Sequence, residues 1–205
     1  MRYSLGLLVS ASVFLLTFPV EAVVADGLSV ASEEVKIAQG GGREQRRDKA
    51  LRLNQLAIQQ FNRGEFREAL KNFEQVLVIV KQVSNKAAEG ATLSNIGEVY
   101  RNFGEYPKAL DYYQQALAIH KQVGNQTGEG NTLNNIGEVY RSLGEYPKAL
   151  DYYQQSLAIN KQIGDKAAES GTLNNIASLL ETQKQPKLAI VFYKQSVSTY
   201  EQIRK

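Results

Sequence analysis

Residues 92–115 read TLSNIGEVYRNFGEYPKALDYYQQ, and 40 positions later residues 132–155 read TLNNIGEVYRSLGEYPKALDYYQQ. The match extends outward on both sides: Gly90–Glu129 and Gly130–Glu169 are identical at 29 of 40 positions. A self-match at constant offset marks a chain built by stacking one small unit on the next. A further step forward recovers Leu173, Asn175, Ile176, Ala189 and Tyr193. A step back recovers Leu53, Leu56, Gly64, Phe66, Ala69, Leu70 and Phe73. The array therefore holds four units, near 50–89, 90–129, 130–169 and 170–205, and the outer two have diverged.

Each unit reads as two helices. Leu93, Ile96, Gly97 and Tyr100 recur at three- and four-residue steps, which places them on one helical face. Gly104 then ends that helix in a conformation that glycine adopts without strain. Pro107 falls in the first turn of the next helix, where its missing N–H has no partner to lose. Ala109, Leu110, Tyr113, Ala116, Leu117 and Ile119 form the buried stripe of this second helix. Gly124 closes it, and Asn125 is placed to cap the helix that follows. Gly144, Pro147, Gly164 and Asp165 repeat the punctuation. Small residues come in pairs, Gly97 with Ala109 and Gly137 with Ala149, where missing bulk lets two helices approach. One hairpin cannot bury its apolar face alone, so stacking must supply the core.

Composition narrows the function. The 205 residues carry a net charge of +3 with no basic stripe, which gives no nucleic-acid footprint. There is no cysteine and one histidine, so thiolate metal sites, thiol nucleophiles and any site needing two imidazoles are excluded. Gly40-Gly41-Gly42 lacks the Lys-Ser/Thr that would follow in a phosphate loop. No cofactor and no enzyme activity are expected.

The amino terminus has a character of its own. Arg2 precedes an apolar run from Leu5 to Val20, and small residues follow at Ala22 and Ala25, the pattern of a cleaved secretory signal over residues 1–25. Cleavage after Ala25 or Ala22 is expected, with an uncleaved membrane anchor as the alternative. The run falls short of the roughly 20 apolar residues that span a bilayer. Residues 26–43 show no sustained apolar period and read as a flexible leader, with the array proper over 44–205. An exported protein, periplasmic or secreted, follows from this reading, with no membrane association beyond targeting.

These units resemble the tetratricopeptide repeat. Leu93, Ile96-Gly97, Tyr100, Ala109 and Tyr113 fit its pattern, as do Leu133, Ile136-Gly137, Tyr140, Ala149 and Tyr153. The period here is 40 residues against the usual 34 or so, similar to adaptors with Leu-Gly-Asn repeats and to kinesin light chains. Lys184 and Pro186 depart from the pattern in the last unit. The resemblance implies an all-α, right-handed superhelical solenoid of about four helix-turn-helix repeats, whose first helices line a groove for a protein or peptide ligand. On that basis the groove carries Asn54, Gln55, Ser94, Asn95, Asn134, Asn135, Asn174 and Asn175, with Glu98, Arg101, Glu138 and Arg141 one turn on. An amide has donors and an acceptor, so a ladder of them can satisfy an extended backbone. The same asparagines can instead bridge neighbouring units, and the Glu/Arg pairs can be surface ion pairs of little consequence.

Tyr113 and Tyr153 fall at core positions, whereas Tyr112 and Tyr152 are open to contact. His120, which corresponds to Val80 and Asn160, reads as a tolerant helix end. A non-enzymatic interaction scaffold is the leading function. The alternatives are a self-associating structural module, a weak homo-oligomer paired through Val191, Val197 or Ile203 of the last repeat, and a fragment of a protein that joins such repeats to a catalytic domain.

Overall fold

The structure, a computed structural model, describes the backbone of residues 20–203 and the side-chain surroundings of residues 41–203. Most of the expected signal segment lies outside the described residues. Contacts divide the chain into two units, Met1–Arg43 and Glu44–Lys205. Eight helices are present among the described residues: α1 (Val20–Asn62), α2 (Phe66–Gln82), α3 (Lys86–Asn102), α4 (Tyr106–Val123), α5 (Gln126–Ser142), α6 (Tyr146–Ile163), α7 (Lys166–Thr182) and α8 (Pro186–Glu201). The 26–43 stretch, read from sequence as a leader, is helical as part of α1. No helix among the described residues is long and apolar enough to cross a membrane.

Local chemistry explains the helix ends. Asn85, Asn125 and Asp165 each accept a hydrogen bond from the backbone N–H three residues on, at 3.1, 2.9 and 2.9 Å, which caps α3, α5 and α7. The second helices α4, α6 and α8 start with proline in the first turn. Structural units thus begin at 86, 126 and 166, four residues ahead of the repeat frame that starts at 90, 130 and 170.

From Glu44 onward the helices pack as consecutive antiparallel pairs, α3 with α4, α5 with α6 and α7 with α8, and each pair stacks on the next. In the central units the pairing is set by a ring over a glycine. A Cβ on Gly97 would stand 2.8 Å from the Tyr113 ring, and one on Gly137 would stand 2.6 Å from Tyr153. Tyr113 is fully buried and reaches onward to Ile136 and Val139 of α5, so one ring joins both helices of its own unit to the next. The first helices of successive units also touch, α3 with α5 and α5 with α7. No comparable contact joins α4 to α6 or α6 to α8. The stack therefore closes on the first-helix side and opens on the second-helix side, and the first helices line its inner face.

The αL turns reveal where the diverged units are strained. Gly64, Gly104, Gly124, Gly144 and Gly164 have φ between 69° and 77°, but the equivalent places in two other turns hold Ser84 (φ 56°) and Lys184 (φ 60°). A left-handed residue with a side chain is disfavoured by about 1–2 kcal/mol, partly offset by the greater unfolded-state freedom of glycine. Ser84→Gly and Lys184→Gly are each expected to stabilise the fold by about 0.5–1 kcal/mol, raising Tm by about 1–4 °C. Thermal melts followed by circular dichroism check this, and an unchanged or lower Tm would contradict the strain argument.

Candidate functional site

Two clefts related by one repeat lie on the inner face. The first, about 430 Å³, sits between α1 and α3 with α2 as its floor. The second, about 510 Å³, sits between α3 and α5 with α4 as its floor. Asn95 lines both, and it also borders a smaller cavity of about 240 Å³ with Ile58, Phe61 and Phe73. Asn54 lines the first cleft, while Ser94, Asn134 and Asn135 line the second. Gln55 and Asn174 are exposed and line neither of these two clefts.

The asparagines expected to act together divide by what they bond. Asn175 Nδ2 donates to Asn134 Oδ1 at 3.0 Å, so this pair ties α7 to α5. Ser94 Oγ lies 3.2 Å from Thr132 Oγ1 and ties α3 to α5. The amides of Asn54, Asn95 and Asn135 have no hydrogen-bond partner among the described residues, and all three are half-buried. Both readings of the ladder therefore have their residues: some bridge units, others face the clefts unbonded.

The Glu/Arg pairs are bonded into the scaffold. Tyr113 Oη donates to Glu98 Oε2 at 2.6 Å, and Arg101 Nε donates to the same oxygen at 3.0 Å. Tyr153 and Arg141 likewise bond Glu138, Arg141 Nη2 to one carboxylate oxygen at 2.9 Å and Tyr153 Oη to the other, while the buried Arg141 Nε has no partner among the described residues. Burial raises the Glu98 carboxyl, but hydrogen bonds from Arg101 and Tyr113 outweigh it and hold the group below its ordinary value. Burial beside that carboxylate pushes the Tyr113 phenol up. The first unit supplies an internal control: there the equivalents of Tyr113, Glu98 and Arg101 are Phe73, Ile58 and Phe61. Hydroxyl, acceptor and cation are lost together, as expected of groups that serve one another. In the last unit Ser178 replaces the glutamate, and Tyr193 Oη donates instead to Glu181 at 2.8 Å. Tyr112 and Tyr152 are likewise engaged, stacked on Tyr100 and Tyr140 at 5.3 and 5.4 Å.

His120 floors the second cleft. It is 2% exposed, in the last turn of α4, and wedged against the next unit. A Cβ on Gly128 would stand 2.5 Å from its Nδ1, and one on Gly90 would stand 2.9 Å from its Cε1. Gly128 stands where the neighbouring units carry Ala88 and Ala168, so the larger imidazole and the missing methyl accompany each other. One unit on, Asn160 is tied into a buried network by donating to Ser156 Oγ and Thr172 Oγ1, each at 3.3 Å. The position that holds Val80, His120 and Asn160 varies in identity but not in burial, and its Val80 and His120 side chains line the floors of the two clefts. Among the described residues no group of three His, Asp or Glu side chains is placed to share a metal ion.

A family model described as the tetratricopeptide repeat matches residues 48–122 and 128–202. No curated protein sequence matches the chain. Its fold is similar to BtubC (BKLC) from P. vanneervenii, with a TM-score of 0.66 at 18% identity, over 74% of this chain and 63% of that one. It is also similar to aspartyl phosphate phosphatase F from Bacillus subtilis, with a TM-score of 0.74 at 15% identity, over 78% and 42% of the two chains. Repeats assigned to a kinesin light chain of Podosopora anserina align with a TM-score of 0.61 at 19% identity, over 75% and 76%. The chain thus spans less than two thirds of the length of the first two, and the likeness to all three is one of fold.

His120 gives a pH dependence with a definite sign. Burial holds its imidazole below the ordinary value of 6.5, opposed by the charge of Glu129. Its contribution to stability is fully present above the unfolded value and is lost as pH falls through the folded one. Because it is the one histidine in the chain, stability is expected to decline through this group as pH falls from about 7 to below its unfolded value of about 6.5. His120→Asn, the residue found one unit on, is expected to flatten that decline. Urea unfolding across this range measures it, and an equal slope in both proteins would exclude the group.

Proposed function

The chain belongs to the tetratricopeptide-repeat family, and from that premise we propose that it is a non-enzymatic adaptor holding an extended segment of a partner protein along its first helices, outside the cytoplasm. The observation that carries this reading is the state of Asn95 and Asn135. They stand at equivalent places one repeat apart, half-buried on the walls of the inner clefts, and neither amide is bonded among the described residues. A peptide unit in extended conformation offers the N–H and C=O that such an amide pairs with. Neighbouring helices lie about 10 Å apart, and an extended chain rises about 3.3 Å per residue, so the two amides address backbone groups about three residues apart. Asn134 and Asn175 keep a different role in this reading, since Asn175 Nδ2 already donates to Asn134 Oδ1.

Export rests on the amino-terminal pattern alone: Arg2, the apolar run from Leu5 to Val20, and the small residues at Ala22 and Ala25. Mass spectrometry of the protein purified from its host is expected to find a mature amino terminus at Asp26 or Val23. Recovery of the intact Met1 terminus would overturn the cleaved-signal reading.

Groove binding is tested by panning the full chain against a phage-displayed library of random peptides and measuring the enriched peptides by fluorescence anisotropy. Asn95→Ala and Asn135→Ala are each expected to weaken binding about five- to tenfold, as loss of one or two hydrogen bonds does. Asn175→Ala is expected to leave affinity unchanged. Enriched peptides that bind all four proteins equally would sink the proposal.

A further inference from the structure

The two clefts are the same site displaced by one repeat, and their linings differ in a consistent direction. At matching places the first cleft has Leu51, Val80 and Ala88 where the second has Ala91, His120 and Gly128. The wall shared with the following unit is Ala91 in the first and Asn131 in the second. The frame of each is preserved: Asn85 and Asn125 at the cap, Thr92 and Thr132 at the side, Asn95 and Asn135 on the wall. Val76 and Val83 extend the apolar floor of the first cleft. Leu51 remains 62% exposed at its rim, an aliphatic side chain left uncovered on the inner face. One charged residue lines this cleft, Arg47, which is exposed and has no ion-pair partner among the described residues.

We infer that the first cleft is an anchor pocket for one large apolar side chain of the partner segment, with an acidic residue of that segment held at its rim by Arg47. This rests on the groove reading above and adds the ligand's composition to it. The second cleft takes a polar residue of the same segment, because its floor is an imidazole and its wall an amide. Adjacent first helices are about 10 Å apart, so the two subsites select residues about three apart in an extended chain. Burial of a leucine- or phenylalanine-sized group in a preformed apolar pocket is the dominant source of affinity in a short segment, and the amides set its register. Charge complementarity at Arg47 adds specificity and a salt dependence more than affinity.

The chain supplies its own test residues. Val80→His combined with Ala88→Gly brings the His120 and Gly128 lining into the first cleft, with Ala50 in place of the Gly90 that gives the imidazole room one unit on. Leu51→Asn alters only an exposed rim position and keeps the test independent of any folding defect in the double variant. The probes are the peptides enriched on the full chain from the same random library. They are expected to share an apolar residue, a polar residue about three positions away and an acidic residue beside the apolar one. Replacement of the apolar residue by alanine is expected to weaken binding about 10- to 100-fold, and the Val80/Ala88 variant to do the same. Leu51→Asn is expected to weaken it several-fold, and Arg47→Glu to weaken binding and reverse its salt dependence, so that added salt strengthens what it weakened before. Enriched peptides without an apolar residue, or ones indifferent to both pocket variants yet weakened by Asn95→Ala and Asn135→Ala, would overturn the anchor pocket and leave the adaptor standing. Peptides indifferent to the pocket variants and to both asparagine variants would overturn both.

Discussion

The Tyr113 ring rests so near Gly97 that a single methyl group there would stand 2.8 Å from it, and the rest of the central array is organised around this contact and its copy at Gly137 and Tyr153. A helix hairpin is too thin to bury its own apolar face, so its stability comes from what the next hairpin covers. The ring satisfies both demands. It fixes how closely α3 and α4 approach, and its far edge meets Ile136 and Val139 of α5. The phenol then sets a further condition, because a buried hydroxyl needs a partner. Glu98 provides it, and Arg101 balances the carboxylate. A packing requirement has thus determined two charged residues that, on a helix surface, look like free equipment for binding.

The diverged units meet the same requirement differently. Phe73 dispenses with the hydroxyl, and the residues that would have served it become Ile58 and Phe61, which border a cavity against Asn95. Tyr193 keeps its hydroxyl and finds Glu181 instead. Divergence at the ends is therefore coherent, since whole groups of interacting residues change together. It also makes the inner face uneven: apolar near the first unit and polar by the second. An inner face built from near-identical repeats acquires a unique register in this way, which four identical units could not give it.

The sequence separates well into what one helix hairpin dictates and what the stack dictates. Helix number, helix ends and the buried stripe were legible because each depends on neighbours within a few residues: Gly104 and Gly124 in left-handed turns, Asn125 on the Gly128 N–H, Pro107 in a first turn. The even spacing of Asn95, Asn135 and Asn175 was equally plain. Their different fates were not, because whether an amide is free depends on a residue 41 positions away, as Asn175 shows by bonding Asn134. The role of Glu98 was hidden for a similar reason, since Tyr113 lies 15 positions on and across a turn.

By itself the sequence determined that this protein is a stack of helix pairs of the tetratricopeptide kind, since periodicity and turn residues act over distances shorter than one unit. Tertiary structure alone decided which polar side chains on the inner face are consumed by the scaffold and which are left to face a cleft. It also decided that Val80 and His120 floor two versions of one pocket, when a repeat alignment shows them only as a tolerant position. The physical reason is the same in both cases. Hydrogen-bond satisfaction and cavity lining are set by where neighbouring units come to rest, and that position is a property of the packed array.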